Sequence, residues 1–371
     1  MNGSYAPLGG SLNLKIAMQF KIQFIILTLS LQCSIVCAQQ MSKIVPADWT
    51  VYSDNHDRVA LRDTIFQGKP SIKLDGRKMS VAIRNGVQYK NFRIECDIAG
   101  RVMSGIGFRA KDHQNYHFLY FRPGYGGTQE AIQYVPIYNG SLSWVLYNYP
   151  TYETTADIQS LQWFHAALEV RDNILKVFVN NSKDPQMEIN LIDTDLEKGE
   201  ILLRSMFGDS YFANIFMYEL PEALSEWLIS EQFPRKETLD LDPATKSSRW
   251  TKVKPDQANV INISRYVENP NGVVIAKHSL KADADIAKIL YFDFIGRMKI
   301  FLNGKQLFYY EKHKLDRIFP GTERIALSLK KGDNELIFVS EGDASFFGKG
   351  FNAMGRAQHQ NWGFIAEIGN R

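Results

Sequence analysis

The stretch GIGFRAKDHQNYHFLYFRP, residues 105–123, carries five Phe and Tyr rings and two arginines in nineteen positions. Side chains alternate between the two faces of an extended strand. The even-numbered residues of 116–122 therefore share one face, and the odd-numbered residues of 117–121 share the other. The odd-numbered face is apolar apart from His117, and we expect it to be buried. The stretch predicts a β-strand with a core face and a second face that is rich in Tyr rings.

The segment just before this strand extends the same pattern. Ile106 and Phe108 are expected in the core, which places Arg109 on the opposite face beside two glycines. Arg109 and Arg122 are therefore predicted to share the outer face with Tyr116 and Tyr120. The outer face of a sandwich sheet normally carries short polar or charged side chains. Rings and guanidinium groups at these positions suggest a surface for a ligand.

Short alternating runs continue along the chain from Trp49 to Leu220. Turn residues separate them, among them Asn85-Gly86 and Asn139-Gly140, which tolerate positive φ. This pattern is typical of an all-β domain. The strand-helix-strand rhythm of a parallel α/β sheet is absent from the sequence. We predict a first all-β domain over residues 39–220.

The composition changes over residues 221–248, where ALSEWLISEQF precedes a polar stretch. We interpret this segment as a short helical linker. Strand patterning resumes in residues 249–371, and Asn303-Gly304 between KIFL and KQLFYY predicts a tight hairpin. The chain is also longer than a typical single domain. A second, smaller β-sandwich is therefore predicted over residues 249–371.

Residues 1–38 have the pattern of a cleavable signal peptide. Lys15 and Lys21 precede an apolar run at 24–31, and the small residues of Val36-Cys37-Ala38 suit cleavage after Ala38. The run is shorter than the roughly 20 apolar residues of a membrane-spanning helix. Cleavage would leave Cys96 as the remaining cysteine, without an internal disulfide. These features predict a periplasmic, secreted or cell-surface bacterial protein without a membrane span after cleavage.

The charge balance limits the class of partner. Cleavage removes two of the 43 basic residues, which leaves 41 basic against 40 acidic residues. Such a balance argues against nucleic acid or an anionic membrane as the partner. The sequence carries no information on the oligomeric state.

The first domain resembles the concanavalin A-like lectin/glucanase superfamily, in particular its laminin-G-like branch and the 3-keto-disaccharide hydrolase-like domains of exported bacterial proteins. The resemblance lies in FRIECDIAG, SGIGFRAKDHQNYHFLYFRP, WFHAALEVRDNILKVFVNN, GEILLRS and YFANIFMYEL. It implies a two-sheet jelly roll whose face or rim loops often meet a glycan. The second domain is similar, more weakly, to galactose-binding-like sandwiches through ILYFDFIGRMKIFLNGKQLFYYE and IALSLKKGDNELIFVSEG.

A carbohydrate-binding site is predicted on the outer face of the first domain. A pyranose ring has an apolar face that stacks on aromatic rings and a hydroxyl rim that needs hydrogen-bond partners. The candidate residues combine both chemistries: Arg109, Tyr116, Tyr120, Arg122, Gln133, Trp144 and Tyr147. The alternative is that these rings cover the sheet and that the arginines are their structural cation–π partners.

Catalysis has weaker support in the sequence. Glu95 and Asp97 resemble the start of the Glu-x-Asp-x-x-Glu motif of family 16 glucanases, but Gly100 occupies the third position. Retaining glycosidases need two carboxyl groups about 5–5.5 Å apart. His165 and Glu169 share a strand face and form a second candidate acid/base pair. If the protein is an enzyme, Glu95, His165 and Glu169 are the candidates; otherwise they form ordinary polar strand faces.

No cofactor is predicted. Asp193, Asp195 and Asp209 offer oxygen ligands for Ca²⁺, as in some laminin-G-like domains, but their spacing favours solvated loops. The leading hypothesis is an exported protein that binds a poly- or oligosaccharide in bacterial glycan utilisation. The alternatives are a glycoside hydrolase of the 3-keto-disaccharide hydrolase type and a structural protein-interaction module.

Overall fold

The computed structural model describes residues 45–147, 150–235, 239, 241, 247–267, 272–314, 316–342 and 361–370. The predicted signal peptide, residues 1–38, lies outside the described residues. The described part is almost entirely β, with short 3₁₀ turns at Pro46–Asp48, Gly76–Lys78, Pro123–Tyr125 and Ile263–Arg265. The prediction of an all-β protein is confirmed.

Residues 49–219 form two antiparallel sheets. Their strands are β1 (Trp49–Tyr52), β2 (Arg58–Val59), β3 (Arg62–Phe66), β4 (Lys69–Leu74), β5 (Val81–Tyr89), β6 (Phe92–Gly100), β7 (Met103–Asp112), β8 (Asn115–Phe121), β9 (Ile132–Tyr138), β10 (Ser141–Leu142), β11 (Glu153–Thr154), β12 (Phe164–Arg171), β13 (Ile174–Val179), β14 (Met187–Asn190), β15 (Gly199–Met206) and β16 (Ser210–Glu219). Within the described residues, the nine-stranded sheet has the order β10-β9-β8-β7-β15-β5-β1-β2, with β11 also pairing with β9. The seven-stranded sheet has the order β14-β13-β12-β6-β16-β4-β3.

Residues 222–370 form a second pair of antiparallel sheets. The strands are β17 (Glu222–Ala223), β18 (Trp227–Ser230), β19 (Trp250–Val253), β20 (Val260–Asn262), β21 (Gly272–Ala282), β22 (Ile286–Phe294), β23 (Gly296–Leu302), β24 (Lys305–Lys314), β25 (Glu323–Leu329), β26 (Gly332–Gly342) and β27 (Gly363–Asn370). In the described part, one sheet has the order β17-β27-β22-β25, with β20 beside β27. The other has the order β19-β18-β21-β26-β23-β24.

The structure corrects the prediction of a helical linker over residues 221–248. Residues 222–230 form β17 and β18, and these strands belong to the second pair of sheets. Trp227 and Ile229 are buried while Leu228 between them is 43% exposed. This period of two fits a strand, and pairing with β19 and β21 overrides the local helix propensity. Among the described residues no helix is both long and apolar enough to cross a membrane.

Each pair of sheets encloses a hydrophobic core. In the first sandwich, Ile106, Phe108, Leu119 and Phe121 of the nine-stranded sheet pack with Ile94 and other residues of the seven-stranded sheet. A second apolar cluster, which includes Tyr116, Phe118, Tyr120, Val135 and Leu202, lies on the opposite side of the nine-stranded sheet. We call this side the outer face. The predicted alternation across β8 is therefore confirmed.

His117 lies fully buried in the core of the first sandwich. Its ring stacks on Phe108 with centroids 5.1 Å apart, and its Nδ1 lies 2.7 Å from the Tyr134 hydroxyl. Burial, reinforced by the nearby charge of Arg109, lowers the pKa of His117 from 6.5 to about 4. The folded protein therefore keeps this ring neutral at pH values where the unfolded chain protonates it.

This difference predicts an acid-sensitive first sandwich. Above about pH 6.5 the ring is neutral in both states, so its contribution to stability is fully present. As the pH falls from 6.5 toward the folded-state pKa of about 4, only the unfolded chain gains the proton. The free energy of unfolding should fall by about 3 kcal/mol over this window. Urea denaturation of His117→Gln should show a smaller loss between neutral and acidic pH than the wild type, and equal losses would contradict the assignment.

Candidate functional site

The outer face of the nine-stranded sheet carries most of the predicted ligand residues, but it is not an open platform. Tyr116 and Tyr120 are at most 1% exposed, and Gln133 is fully buried. The Tyr120 hydroxyl donates to Gln133 Oε1. Gln133 Nε2 in turn donates to the backbone carbonyls of Trp144 and Tyr147, at 3.2 and 3.3 Å. These buried groups hold the segment after β10 against the sheet.

The segment that Gln133 holds carries an exposed aromatic side chain. Trp144 is 49% exposed, whereas Tyr147 is half-buried and packs edge-on against Tyr152. Val145 and Leu146 beside it are also exposed. Of the predicted stacking residues, Trp144 is therefore the one whose ring is accessible to a ligand.

Arg109 does not lie on the outer face, which corrects the prediction. The pairing of β7 with β8 shifts between Phe108 and Asp112, and Arg109 has a φ of 49°. A bulge of this kind interrupts the alternation of side chains. The guanidinium is 2% exposed and donates to the carbonyls of Lys90, Asp172 and Leu196. Arg109 therefore forms hydrogen bonds to three turns and is not available to a ligand.

Arg122 is also engaged by the protein itself. It follows the end of β8, forms an ion pair with Glu130, and lies over the Tyr125 ring at 3.9 Å. This arrangement is the structural cation–π role that the sequence left open for the arginines. Arg122 is therefore a weaker ligand candidate than the sequence suggested.

Arg204 was not among the residues predicted from the sequence. It lies on β15 with Leu202 and Met206 on the outer face, and only 7% of it is exposed. Its Nη1 donates to the Tyr116 hydroxyl at 2.5 Å. Burial raises the pKa of Tyr116 to about 12 despite this neighbouring charge. A lone arginine at an alternate position of the apolar run ILLRSM was the signal that would have identified it.

A cavity of about 290 Å³ opens beside Arg204. We call it the Arg204 pocket. Its apolar lining comes from Met79, Val81, Leu142 and Met206. Three turns supply the rest, with Ser53, Asp54 and His56 before β2, His113 and Gln114 between β7 and β8, and Gly140 between β9 and β10. The pocket thus combines apolar surface with hydrogen-bonding groups and one buried guanidinium.

Two histidines meet at the edge of this pocket. His113 Nε2 lies 3.1 Å from His56 Nδ1, and the His113 ring stacks on Tyr52 at 4.2 Å. Gln114 Nε2 lies 3.2 Å from the same His56 nitrogen. Burial and the neighbouring His56 lower the pKa of His113. The lowered pKa favours the neutral form of His113, and the ring nitrogens of the pair can hydrogen-bond to a ligand.

The catalytic candidates lie on a different surface, the outer face of the seven-stranded sheet. Glu95, His165 and Glu169 are brought together there on neighbouring strands, with side chains 20–24% exposed. His165 Nε2 lies 3.8 Å from Glu95 Oε2, and Arg93 pairs with both Glu95 and Glu169. Glu169 also pairs with Arg171, so each of the two glutamates has an arginine partner.

Asp97 organises the same row of side chains. It accepts hydrogen bonds from His165 Nδ1 at 2.9 Å, Lys69 Nζ at 2.6 Å and Asn214 Nδ2 at 2.7 Å. Burial acts to raise the pKa of Asp97, but these three donors outweigh it and hold the pKa well below its usual range. Asp97 is therefore a fixed negative charge that orients His165, and not a proton donor.

The calcium candidates do not converge. Asp209 forms an ion pair with Lys73 at 2.7 Å, and Asp193 accepts a hydrogen bond from the backbone of Asp195. Across the described ranges, no cluster of three or more His, Cys, Asp or Glu residues could hold a metal ion. Cys96 is buried, which raises the pKa of its thiol.

Comparison with known proteins finds solved structures of similar fold but does not assign the chain to a family. No protein-family model and no curated protein matches the chain. The carbohydrate-binding module CBM66 from Bacillus subtilis is 19% identical, with a TM-score of 0.36, over 46% of this chain and 94% of that chain. A protein with a galectin-like fold from Bacillus subtilis is 10% identical, with a TM-score of 0.34, over 47% of this chain and 90% of that chain.

A third similar structure is the exoplasmic/lumenal domain of VIP36 in its Ca²⁺- and mannose-bound form. It is 13% identical, with a TM-score of 0.33, over 47% of this chain and 83% of that chain. What these proteins bind is a property of each of them. For this chain, the function is inferred from the contacts around the Arg204 pocket.

Proposed function

We propose that this protein binds a poly- or oligosaccharide and that one sugar residue occupies the Arg204 pocket. The main support for this proposal is the combination of the volume of the Arg204 pocket and the residues that line it. Its volume of about 290 Å³ is near the lower end of small-ligand sites and suits a single sugar residue. Met79, Val81 and Met206 face the apolar side of a sugar ring, and Gln114 with the histidine pair face its hydroxyl rim.

The biological setting is part of the same proposal. Residues 1–38 have the charge and apolar pattern of a signal peptide, which supports export to the periplasm or the cell surface. An exported binding protein of this kind would serve bacterial glycan utilisation by holding a polysaccharide near the cell. The near-neutral charge balance of the mature chain supports a sugar partner over nucleic acid.

Affinity electrophoresis tests the proposal. The protein is run through gels that contain a panel of neutral and acidic polysaccharides. We expect at least one of them to retard the wild type. His165→Ala is the matched control, because its ring lies on the other sheet, and it should be retarded to the same extent. Absence of retardation with the whole panel would contradict the proposal, as would loss of retardation in His165→Ala alone.

Trp144 is expected to form an aromatic platform for the part of the glycan outside the pocket. Its ring is 49% exposed, and its backbone is fixed to the sheet by Gln133. Trp144→Ala should weaken glycan binding by roughly 5-fold, because one stacking contact contributes about 1 kcal/mol. Titration calorimetry checks this, with Leu146→Ala in the same segment as the control. Equal affinity of the wild type and Trp144→Ala would exclude a contact with the ring.

A glycoside hydrolase is the second candidate function. The observation in its favour is the row of Asp97, His165 and Glu95, in which Asp97 orients a histidine toward a second carboxylate. The binding function has the stronger support because an arginine neutralises Glu95. Release of reducing sugars by the wild type and its loss in His165→Ala would establish the hydrolase.

A further inference from the structure

Arg204 has no ion-pair partner in the described part of the protein, although Asp54 also lines its pocket. Its guanidinium donates to the Tyr116 hydroxyl and lies 5.9 and 5.5 Å from the rings of Tyr116 and Phe118. Its Nε is buried without a hydrogen-bond partner. Arg204 forms no ion pair with any of the described residues. An arginine that is 7% exposed therefore lines the pocket, and within the described residues its hydrogen-bond acceptor is one neutral hydroxyl.

Such an arrangement is energetically costly for the protein alone. A buried charge is normally paired and fully hydrogen-bonded, because burial removes its hydration. The Tyr116 hydroxyl is neutral, so it accepts one hydrogen bond without balancing the charge. The rings of Tyr116 and Phe118 compensate the charge in part.

Two other buried arginines, Arg297 and Arg109, have charged or multiple hydrogen-bond acceptors. Arg297 is 8% exposed, and its Nη1 lies 3.1 Å from both carboxylate oxygens of Glu341. Arg109 has three carbonyl acceptors. Among these three, Arg204 differs because it lines a cavity and has neither a carboxylate nor a set of carbonyls. The missing acceptor is expected to come from a ligand.

We propose that the Arg204 pocket selects a sugar residue that carries a negative charge, a carboxylate or a sulfate ester, and binds that group on Arg204. The proposal rests on the proposed function and names its ligand class. A guanidinium binds both groups through charge-assisted hydrogen bonds. Gln114 and the histidine pair remain for the hydroxyl groups. Asp54 also lines the pocket, and its Oδ1 accepts a hydrogen bond from the backbone of Asn55 on the exposed rim.

Titration calorimetry with matched ligands tests the charge requirement. The probes are oligogalacturonate, oligomannuronate and a sulfated oligogalactan, each paired with its carboxyl-reduced or desulfated counterpart. We expect the wild type to bind at least one acidic probe about 30-fold more tightly than its neutral counterpart, the effect of a charge-assisted hydrogen bond. Carboxylated and sulfated probes distinguish the two sources of charge. This comparison needs no variant.

A variant then assigns the selectivity to one side chain. Arg204→Gln should bind the preferred acidic probe and its neutral counterpart with similar affinity, while Arg204→Lys keeps a partial preference for the acidic probe. Wild-type binding of the neutral counterparts with equal affinity would overturn the charge requirement and leave sugar binding intact. Wild-type binding to none of the probes or polysaccharides would overturn the proposed function as well. An acidic preference that persists in Arg204→Gln would place the anion elsewhere.

Discussion

Arg204→Gln is expected to weaken glycan binding by about 100-fold, because truncating one partner of a buried charged contact costs several kcal/mol. The substitution removes the guanidinium that lines the pocket and keeps a hydrogen-bond donor near the Tyr116 hydroxyl. It also removes a charge that forms no ion pair with the described residues. The free energy of unfolding in the absence of ligand should therefore stay within about 1 kcal/mol of the wild-type value.

Arg122→Gln is the matched control for this prediction. Arg122 was predicted from the sequence as a ligand contact, but Glu130 and Tyr125 already engage it. Its substitution should leave glycan affinity within about 3-fold, which corresponds to less than 1 kcal/mol. Titration calorimetry of both variants with the same glycan gives the comparison. Equal effects of the two substitutions would contradict the assignment of Arg204 as the binding arginine.

Arg109→Ala is expected to lower the free energy of unfolding of the first sandwich by about 4 kcal/mol. The guanidinium is the shared donor for the carbonyls of Lys90, Asp172 and Leu196. Truncation leaves these carbonyls without that partner at a site that is 2% exposed. Hydrogen bonds to a charged group contribute about 1.5–3 kcal/mol each, and their loss is only partly offset by water.

Urea denaturation measures this effect, and Arg122→Ala again provides a control. Arg122 is paired with Glu130, whose side chain is 48% exposed, so its loss should cost less than about 1 kcal/mol. Arg109→Lys should recover part of the stability, since an ammonium reaches fewer acceptors. A midpoint for Arg109→Ala equal to that of the wild type would exclude the structural role.

The sequence was sufficient to predict the fold class and the faces of the central strand. Residues 116–121 alternate without interruption, and Asn139-Gly140 and Asn303-Gly304 form the expected positive-φ turns. Such signals are local, because one strand and one turn contain all the information they need. Asn85-Gly86 differs, since it lies inside β5 with Gly86 at a φ of 71°.

The binding residues were harder to predict because they depend on features that alternation does not encode. The bulge after Phe108 redirects Arg109 toward three turns, and a shift of one residue reverses the face of a side chain. Arg204 lies on the outer face because β15 pairs with β5 and β7. β15 is distant in sequence from β8, so the sequence near β8 does not reveal this position. The hydrogen bonds from Gln133 to the carbonyls of Trp144 and Tyr147, which hold the segment after β10 against the sheet, are likewise tertiary contacts. Sequence therefore identified the ring-rich outer face but not the arginine that lines its pocket.

The most direct test of sugar binding at Arg204 is a crystal structure of the protein with the glycan that it binds most tightly. We predict that one sugar residue occupies the Arg204 pocket, with an oxygen of that residue within hydrogen-bond distance of the guanidinium. The rest of the glycan should extend past Trp144. A glycan bound on the outer face of the seven-stranded sheet beside His165, or on the second sandwich, with the Arg204 pocket holding only water, would contradict it.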